Sequence, residues 1–153
     1  MSVPPPHAVV LEGSSALADA FAARFAREGY RVTALADFAI DPADLLQMLP
    51  DLVLLDIDGG FGHPGLNLLR RLRADPVGTG VPVVASPTIT PSDVERYGAE
   101  LLSLGAVVLP DPFEVNDLLA AARAAVARAR NARQRSDAAV TRLNRGVAKL
   151  PPV

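Results

Sequence analysis

The chain has 153 residues, half of them hydrophobic, with a formal charge of −2 and no cysteine. That length suits one domain with a real core, and the absence of thiols excludes disulfides, thiolate nucleophiles and cysteine-held zinc. The small net charge hides an asymmetry: residues 1–117 carry seven arginines against sixteen acids, net −9, whereas residues 118–153 carry seven arginines and one lysine against Asp137 alone, net +7.

Apolar segments then alternate with helical patterns along the chain. Ala8–Leu11 reads as a strand, and Ser14-Ser15 opens an amphipathic helix through Leu17, Phe21 and Phe25 that stops at Glu28-Gly29. Arg31–Leu35 is a second strand, and Asp41-Pro42 starts a short helix with proline in its first turn. Leu52–Leu55, after Pro50-Asp51, is an unbroken apolar run ending in Asp56. It has the pattern of a strand buried on both faces of a parallel sheet. Gly59 to Gly65, with four glycines and a proline, must be loop. Leu66, Leu69 and Leu72 mark the next helix, which ends near Asp75-Pro76, and Val81–Ala85 is the fourth strand. Thr90-Pro91-Ser92-Asp93 opens a helix carrying Val94, Tyr97, Leu101 and Leu104 up to Gly105. Ala106–Leu109 is the fifth strand, and helix is expected from Glu114 almost to Leu150.

This alternation predicts an α/β fold with a five-stranded parallel sheet covered by helices on both faces. In the last helix a 3-4 spacing runs through Leu119, Ala122, Val126, Ala129, Arg133, Ser136, Val140, Leu143, Val147 and Leu150. Its first half can pack on the sheet. Beyond about Ala132 the helix has no part of a five-stranded domain left to cover, so it is expected either to self-associate or to remain a solvated basic tail. No stretch reaches the roughly 20 apolar residues of a membrane span. Met1 to His7, with no positive charge, does not read as a signal peptide. A cytoplasmic protein is expected.

The order of motifs resembles the receiver domain of two-component response regulators, over roughly residues 8–128. Four passages carry the resemblance: Ala8-Val9-Val10-Leu11-Glu12-Gly13; Pro50 to Ile57; Gly65-Leu66-Asn67-Leu68-Leu69-Arg70-Arg71-Leu72-Arg73; and Leu109-Pro110-Asp111-Pro112-Phe113. The resemblance implies a doubly wound (βα)5, flavodoxin- or CheY-like fold, here with an extended basic C-terminal helix over 129–153. It also implies phosphoryl transfer to an aspartate, and Asp56 falls on the phosphoacceptor position. A carboxylate can attack a phosphoryl group when a divalent ion bridges the two and offsets their repulsion. By resemblance Mg²⁺ would be held by Glu12, Asp56 and the backbone carbonyl of Asp58.

Several positions depart from that pattern. Gly13 replaces a second metal-binding acid. The hydroxyl position after the fourth strand falls on Pro87, flanked by Ser86 and Thr88. Asp111 replaces a lysine that would neutralise phosphoryl oxygens, so a cation has become an anion. A phosphoryl dianion beside Asp58 and Asp111 would meet repulsion of several kcal/mol at intermediate dielectric. A degenerate site is therefore expected, with Mg²⁺ bound weakly or not at all. A metal-holding cluster of Glu12, Asp56, Asp58 and Asp111 competes with a reading of these four acids as solvated at the rim.

The expected role is a stand-alone receiver or pseudo-receiver, not an enzyme, acting on a kinase or effector protein. The resemblance places the contact surface on the fourth helix, fifth strand and fifth helix, near Tyr97, Val107, Val108 and Phe113. A homodimer through the final helix is a further expectation. The alternative is nucleic-acid binding by Arg123, Arg128, Arg130, Arg133, Arg135, Arg142, Arg145 and Lys149, although the tail has no aromatic residue to stack on bases. His7 and His63 have no nucleophile at triad spacing.

Overall fold

A computed structural model of the chain describes residues 3–58, 62–85, 91–109, 114–149 and 151. The strands are β1 (His7–Leu11), β2 (Arg31–Leu35), β3 (Leu52–Leu55), β4 (Val83–Ala85) and β5 (Ala106–Val107). The helices are α1 (Ser15–Arg27), α2 (Pro42–Gln47), α3 (Pro64–Ala74), α4 (Pro91–Ser103) and α5 (Val115–Ala148). All the strands are parallel, in the order β2-β1-β3-β4-β5.

Local chemistry sets the helix boundaries. The Ser14 hydroxyl accepts from the Leu17 N–H at 3.3 Å, and the Asp41 carboxylate accepts from the Ala43 N–H at 2.8 Å. Each satisfies a donor that the first helical turn leaves without a partner. At α5 the Asp117 carboxylate reaches back to the Glu114 N–H at 2.9 Å. Gly105 ends the α4 segment with φ +70°, where a side chain would be strained.

Because side chains alternate along a strand, each apolar strand supplies two cores. Val9, Leu11, Val53, Leu55 and Val83 pack with Leu45, Leu66, Leu69, Leu72 and Leu101 of α2, α3 and α4. Ala8, Val10, Leu52, Leu54 and Val84 pack on the opposite face with Phe21 and Phe25 of α1 and with Leu118, Leu119, Ala122 and Val126 of α5. This explains the unbroken apolar run at 52–55: β3 has no face toward water.

Two strands are shorter than their apolar runs. β4 begins at Val83 rather than Val81 because Pro82 has no N–H to give to a ladder, although its carbonyl still accepts from Val53. β5 stops at Val107 rather than Leu109. A 3₁₀ turn at Gly78–Gly80, which the sequence pattern does not signal, leads into β4.

Phe25 is 1% exposed and sits edge-on to Tyr30, with ring centroids 5.1 Å apart. Phe25→Ala is expected to cost about 3–5 kcal/mol of unfolding free energy by urea titration, with the m-value unchanged.

Candidate functional site

β1 and β3 end side by side, Leu11 opposite Leu55, and the chain continues from them into Glu12 and Asp56. β1 also pairs with β2 on its other side, so the sheet changes direction of winding here. In open α/β sheets ligands gather at such a switch point, beyond the carboxyl ends of the strands. The sequence reading of Asp56 as an acid at the mouth of the sheet corresponds to this place.

Glu12 and Asp56 are both buried, 3% and 5% exposed. This corrects the reading of the four acids as solvated at a rim, since two of them lie inside. The Gly13 N–H donates to Asp56 Oδ2 at 3.2 Å, and the Asp56 N–H donates to the Leu11 carbonyl at 2.8 Å. Asp58 points elsewhere: its Oδ1 lies 3.0 Å from His63 Nδ1, and it is half exposed. Among the described residues no group of three or more His, Cys, Asp or Glu side chains gathers so as to hold a metal ion. Ser86, Pro87, Thr88, Asp111 and Phe113 lie outside the described residues, so the site is described through Glu12, Gly13, Asp56, Asp58 and the start of α3.

The start of α3 is pressed against the back of Asp56. The Leu66 N–H donates to the Ile57 carbonyl at 3.0 Å. A Cβ on Gly65 would overlap the Asp56 carbonyl and approach the Ile57 oxygen to 2.8 Å. His63, just before the helix, takes the left-handed conformation at φ 52°. Its ring stands 5.0 Å from that of Tyr97, so the loop after β3 touches α4. The sequence shows a glycine-rich loop but not which glycine is obligatory, because the obligation comes from backbone eight and nine residues earlier.

Three arginines within about one turn of α3 then fasten its neighbours. Arg70 forms a two-pronged ion pair with Glu100 of α4, and Arg71 donates to the Phe38 and Ile40 carbonyls at 3.0 and 3.2 Å. Arg73 donates to the carbonyls of Leu104, Gly78 and Val81 at 2.6, 2.6 and 2.7 Å. Burial pushes its pKa down, yet the carbonyls satisfy the guanidinium. It also lines a groove of about 640 Å³ with Leu104, Val107, Ala125 and Arg128, on the face expected to make contacts. Tyr97, Val107 and Val108 on that face are only half-buried, and Leu102 of α4 is 71% exposed.

At the opposite end of β3 the structure adds a site that the sequence did not signal. Asp51 Oδ2 accepts from the His7 N–H at 2.8 Å, and the Asp51 N–H donates to the His7 carbonyl at 2.8 Å. Its other oxygen lies 3.5 Å from Arg133 and 4.0 Å from Arg130 of α5. His7 is 6% exposed; its Nδ1 donates to the Met48 carbonyl at 2.9 Å and its Nε2 shares a hydrogen bond with the Thr33 hydroxyl at 2.7 Å. In the sequence this histidine merely follows three prolines.

No protein-family model matches the sequence, and a search of curated proteins finds no relative. Solved structures do match. NtrX from Brucella abortus is 23% identical over 87% of this chain, with a TM-score of 0.70, although this chain spans only 29% of its length. The receiver domain of the sensor histidine kinase PA1611 from Pseudomonas aeruginosa, solved with magnesium in its active-site cleft, is 22% identical over 80% of this chain and 98% of its own, with a TM-score of 0.66. CheY4, a chemotaxis protein of Vibrio cholerae, is 17% identical over 79% of this chain and 98% of its own, at 0.65. The chain therefore has the CheY-like receiver fold, with a long final helix added.

Gly65→Ala is expected to destabilise the fold by more than about 3 kcal/mol, because backbone rather than a movable side chain occupies the space. Chemical denaturation checks this, with the exposed Gly146→Ala expected to be neutral or slightly stabilising.

Proposed function

We propose that this chain is a response-regulator-type receiver that signals through protein–protein contacts and works without efficient phosphorylation of Asp56. One observation carries the second half of that reading: the position after Glu12 is Gly13, which offers the acceptor carboxylate a backbone N–H and no carboxylate of its own. A hard divalent ion needs a shell of about six oxygens, several of them anionic. Among the described residues Glu12 and Asp56 are the buried acids of the right class at the mouth; the Asp58 carboxylate is turned to His63, so Asp58 would offer only its neutral backbone carbonyl. The donor set does not fit a tightly resident Mg²⁺, so weak binding or none is the reading, and no step is routed through the ion. Asp111, an acid where the receiver pattern has a lysine, removes the cation that would steady phosphoryl oxygens.

In this reading residues 8–128 form the receiver body and 129–153 an output extension, in a protein of the cytoplasm with no enzymatic activity of its own. Among the described residues no helix is long and apolar enough to cross a membrane. The contact surface is the α4–β5–α5 face, with Leu102 and Tyr97 as its apolar element and a kinase or effector protein as the partner. The extension is an element of self-association.

Nucleic-acid binding is a second reading, favoured by one arrangement: Arg128, Arg135, Arg142 and Lys149 recur every seventh residue along one exposed line of α5. It requires a gel shift whose affinity falls steeply between about 50 and 200 mM salt.

Intact mass after incubation with acetyl phosphate and Mg²⁺ decides the main point. No adduct is expected on the folded wild type or on Asp56→Asn. A phosphoryl adduct on the wild type that Asp56→Asn abolishes would overturn the phosphorylation-independent reading. Gly13→Asp, which restores the missing carboxylate, is expected to raise Mg²⁺ affinity by tenfold or more in a calorimetric titration.

A further inference from the structure

The apolar seam of α5 does not end where the domain ends. Leu119, Ala122 and Val126 are buried on the sheet, at most 6% exposed. The same 3-4 spacing continues through Val140, Leu143 and Val147, which are 54%, 68% and 66% exposed. Every described residue from 131 to 149 is exposed. Written as heptads, Val126, Arg133, Val140 and Val147 occupy a, and Ala129, Ser136 and Leu143 occupy d.

Apart from Arg130 at e and Arg133 at a, which lie 4.0 and 3.5 Å from Asp51 of the body, the arginines and lysine of the extension lie off this seam. Arg128, Arg135, Arg142 and Lys149 fall at c and Arg145 at f, on the far side of the helix. The flanking g positions are Ala132, Ala139 and Gly146, and the flanking e positions are Arg130, beside Asp51 of the body, then Asp137 and Asn144. Two such helices can therefore approach closely without like charges meeting. No row of charge beside the seam selects an oppositely charged foreign helix. The occupant that fits is a second copy of the same helix.

Direction follows from the body. An apolar line at heptad spacing drifts by only about 20° per heptad on a straight helix. Over the three heptads from Ala122 to Leu143 the drift is about 60°, so the exposed stripe keeps to the same half of the helix as the buried one, beneath the base of the sheet. A parallel, in-register partner helix would have to continue through the space that α5 shares with its own sheet. An antiparallel one would not. Its C-terminal end would instead run toward the base, where a groove of about 790 Å³ is lined by Pro4, Leu49, Pro50, Val77, Arg130 and Arg133. Leu49 and Val77 there are 76% and 71% exposed, and Leu49 is held at φ 54°. A helix C-terminus carries partial negative charge and is stabilised by cations, which those arginines supply.

The geometry points to an antiparallel homodimer of α5 extensions, in which Val140 faces Leu143 of the partner subunit, Ser136 faces the partner's Val147, and the end of each helix abuts the base of the other body. This register places Val140 and Val147 opposite d residues, Leu143 and Ser136, over about 16 Å of helix. It rests on the reading of the extension as a self-association element and adds to it a direction, a register and a docking end.

The chain has no cysteine, so single thiols report on register without interference. Ser136→Cys and Val147→Cys full-length variants would be oxidised separately and as a mixture. The mixture is expected to give a disulfide-linked dimer at least tenfold more abundant than either variant alone, because like positions then lie about 16 Å apart along the axis, beyond disulfide reach. Efficient cross-linking of each variant with itself would overturn the antiparallel register while leaving self-association standing. A wild type that remains monomeric by light scattering up to about 1 mM, with no cross-link in the mixture, would overturn both. Val140→Glu with Leu143→Glu is expected to abolish the dimer with the melting temperature of the body unchanged; a dimer that survives it would place the interface elsewhere.

Discussion

The structure depends on β3 being wanted by both sides of the sheet. Four consecutive apolar residues give two side chains to the core under α1 and α5 and two to the core under α2, α3 and α4. A strand so placed cannot slip by one residue without exchanging its two sets of partners. Its ends are thereby fixed as well. Asp51 enters at the base, beside His7 and the arginines of α5, and Asp56 leaves at the mouth, against Gly13 and the first turn of α3. The candidate site and the anchor of the long helix are opposite ends of one rigid rod.

Much of this was legible in the sequence, and the reason is periodicity. The helices and strands follow from caps, glycine stops and apolar spacing, all of which act within a few residues. Asp56 was legible because it interrupts an apolar run where a parallel sheet opens. The buried state of Glu12 was not, since a single acid after a strand looks the same whether it ends in water or beneath a loop. Asp51, His7 and Arg73 were missed for a shared reason: their partners are carbonyls and side chains 5 to 82 residues away, and no local pattern announces such a meeting. Val81 and Pro82 show the opposite error, where apolar character suggested a ladder that the missing proline N–H cannot make.

The chemistry of the mouth follows from what stands beside Asp56 as much as from Asp56 itself. Two buried carboxylates with a backbone N–H can persist as a polar, hydrogen-bonded plug in the switch point of the sheet. The fold has the shape of a receiver, and Arg70 and Arg73 tie α3 to α4 and to the Leu104 carbonyl just after it, away from the Asp56 carboxylate.

The long helix has one more physical consequence. Starting a helix is the unfavourable step, and adding residues to one already formed is nearly free. In α5 the docked turns around Leu118, Leu119 and Ala122 act as the nucleus, and the fully exposed turns after residue 131 are propagated from it. Helicity in the extension is therefore borrowed from packing some 20 residues away. Loosening the grip of the sheet on α5 would unwind turns that touch nothing, so the far end of the helix reports on the integrity of the core.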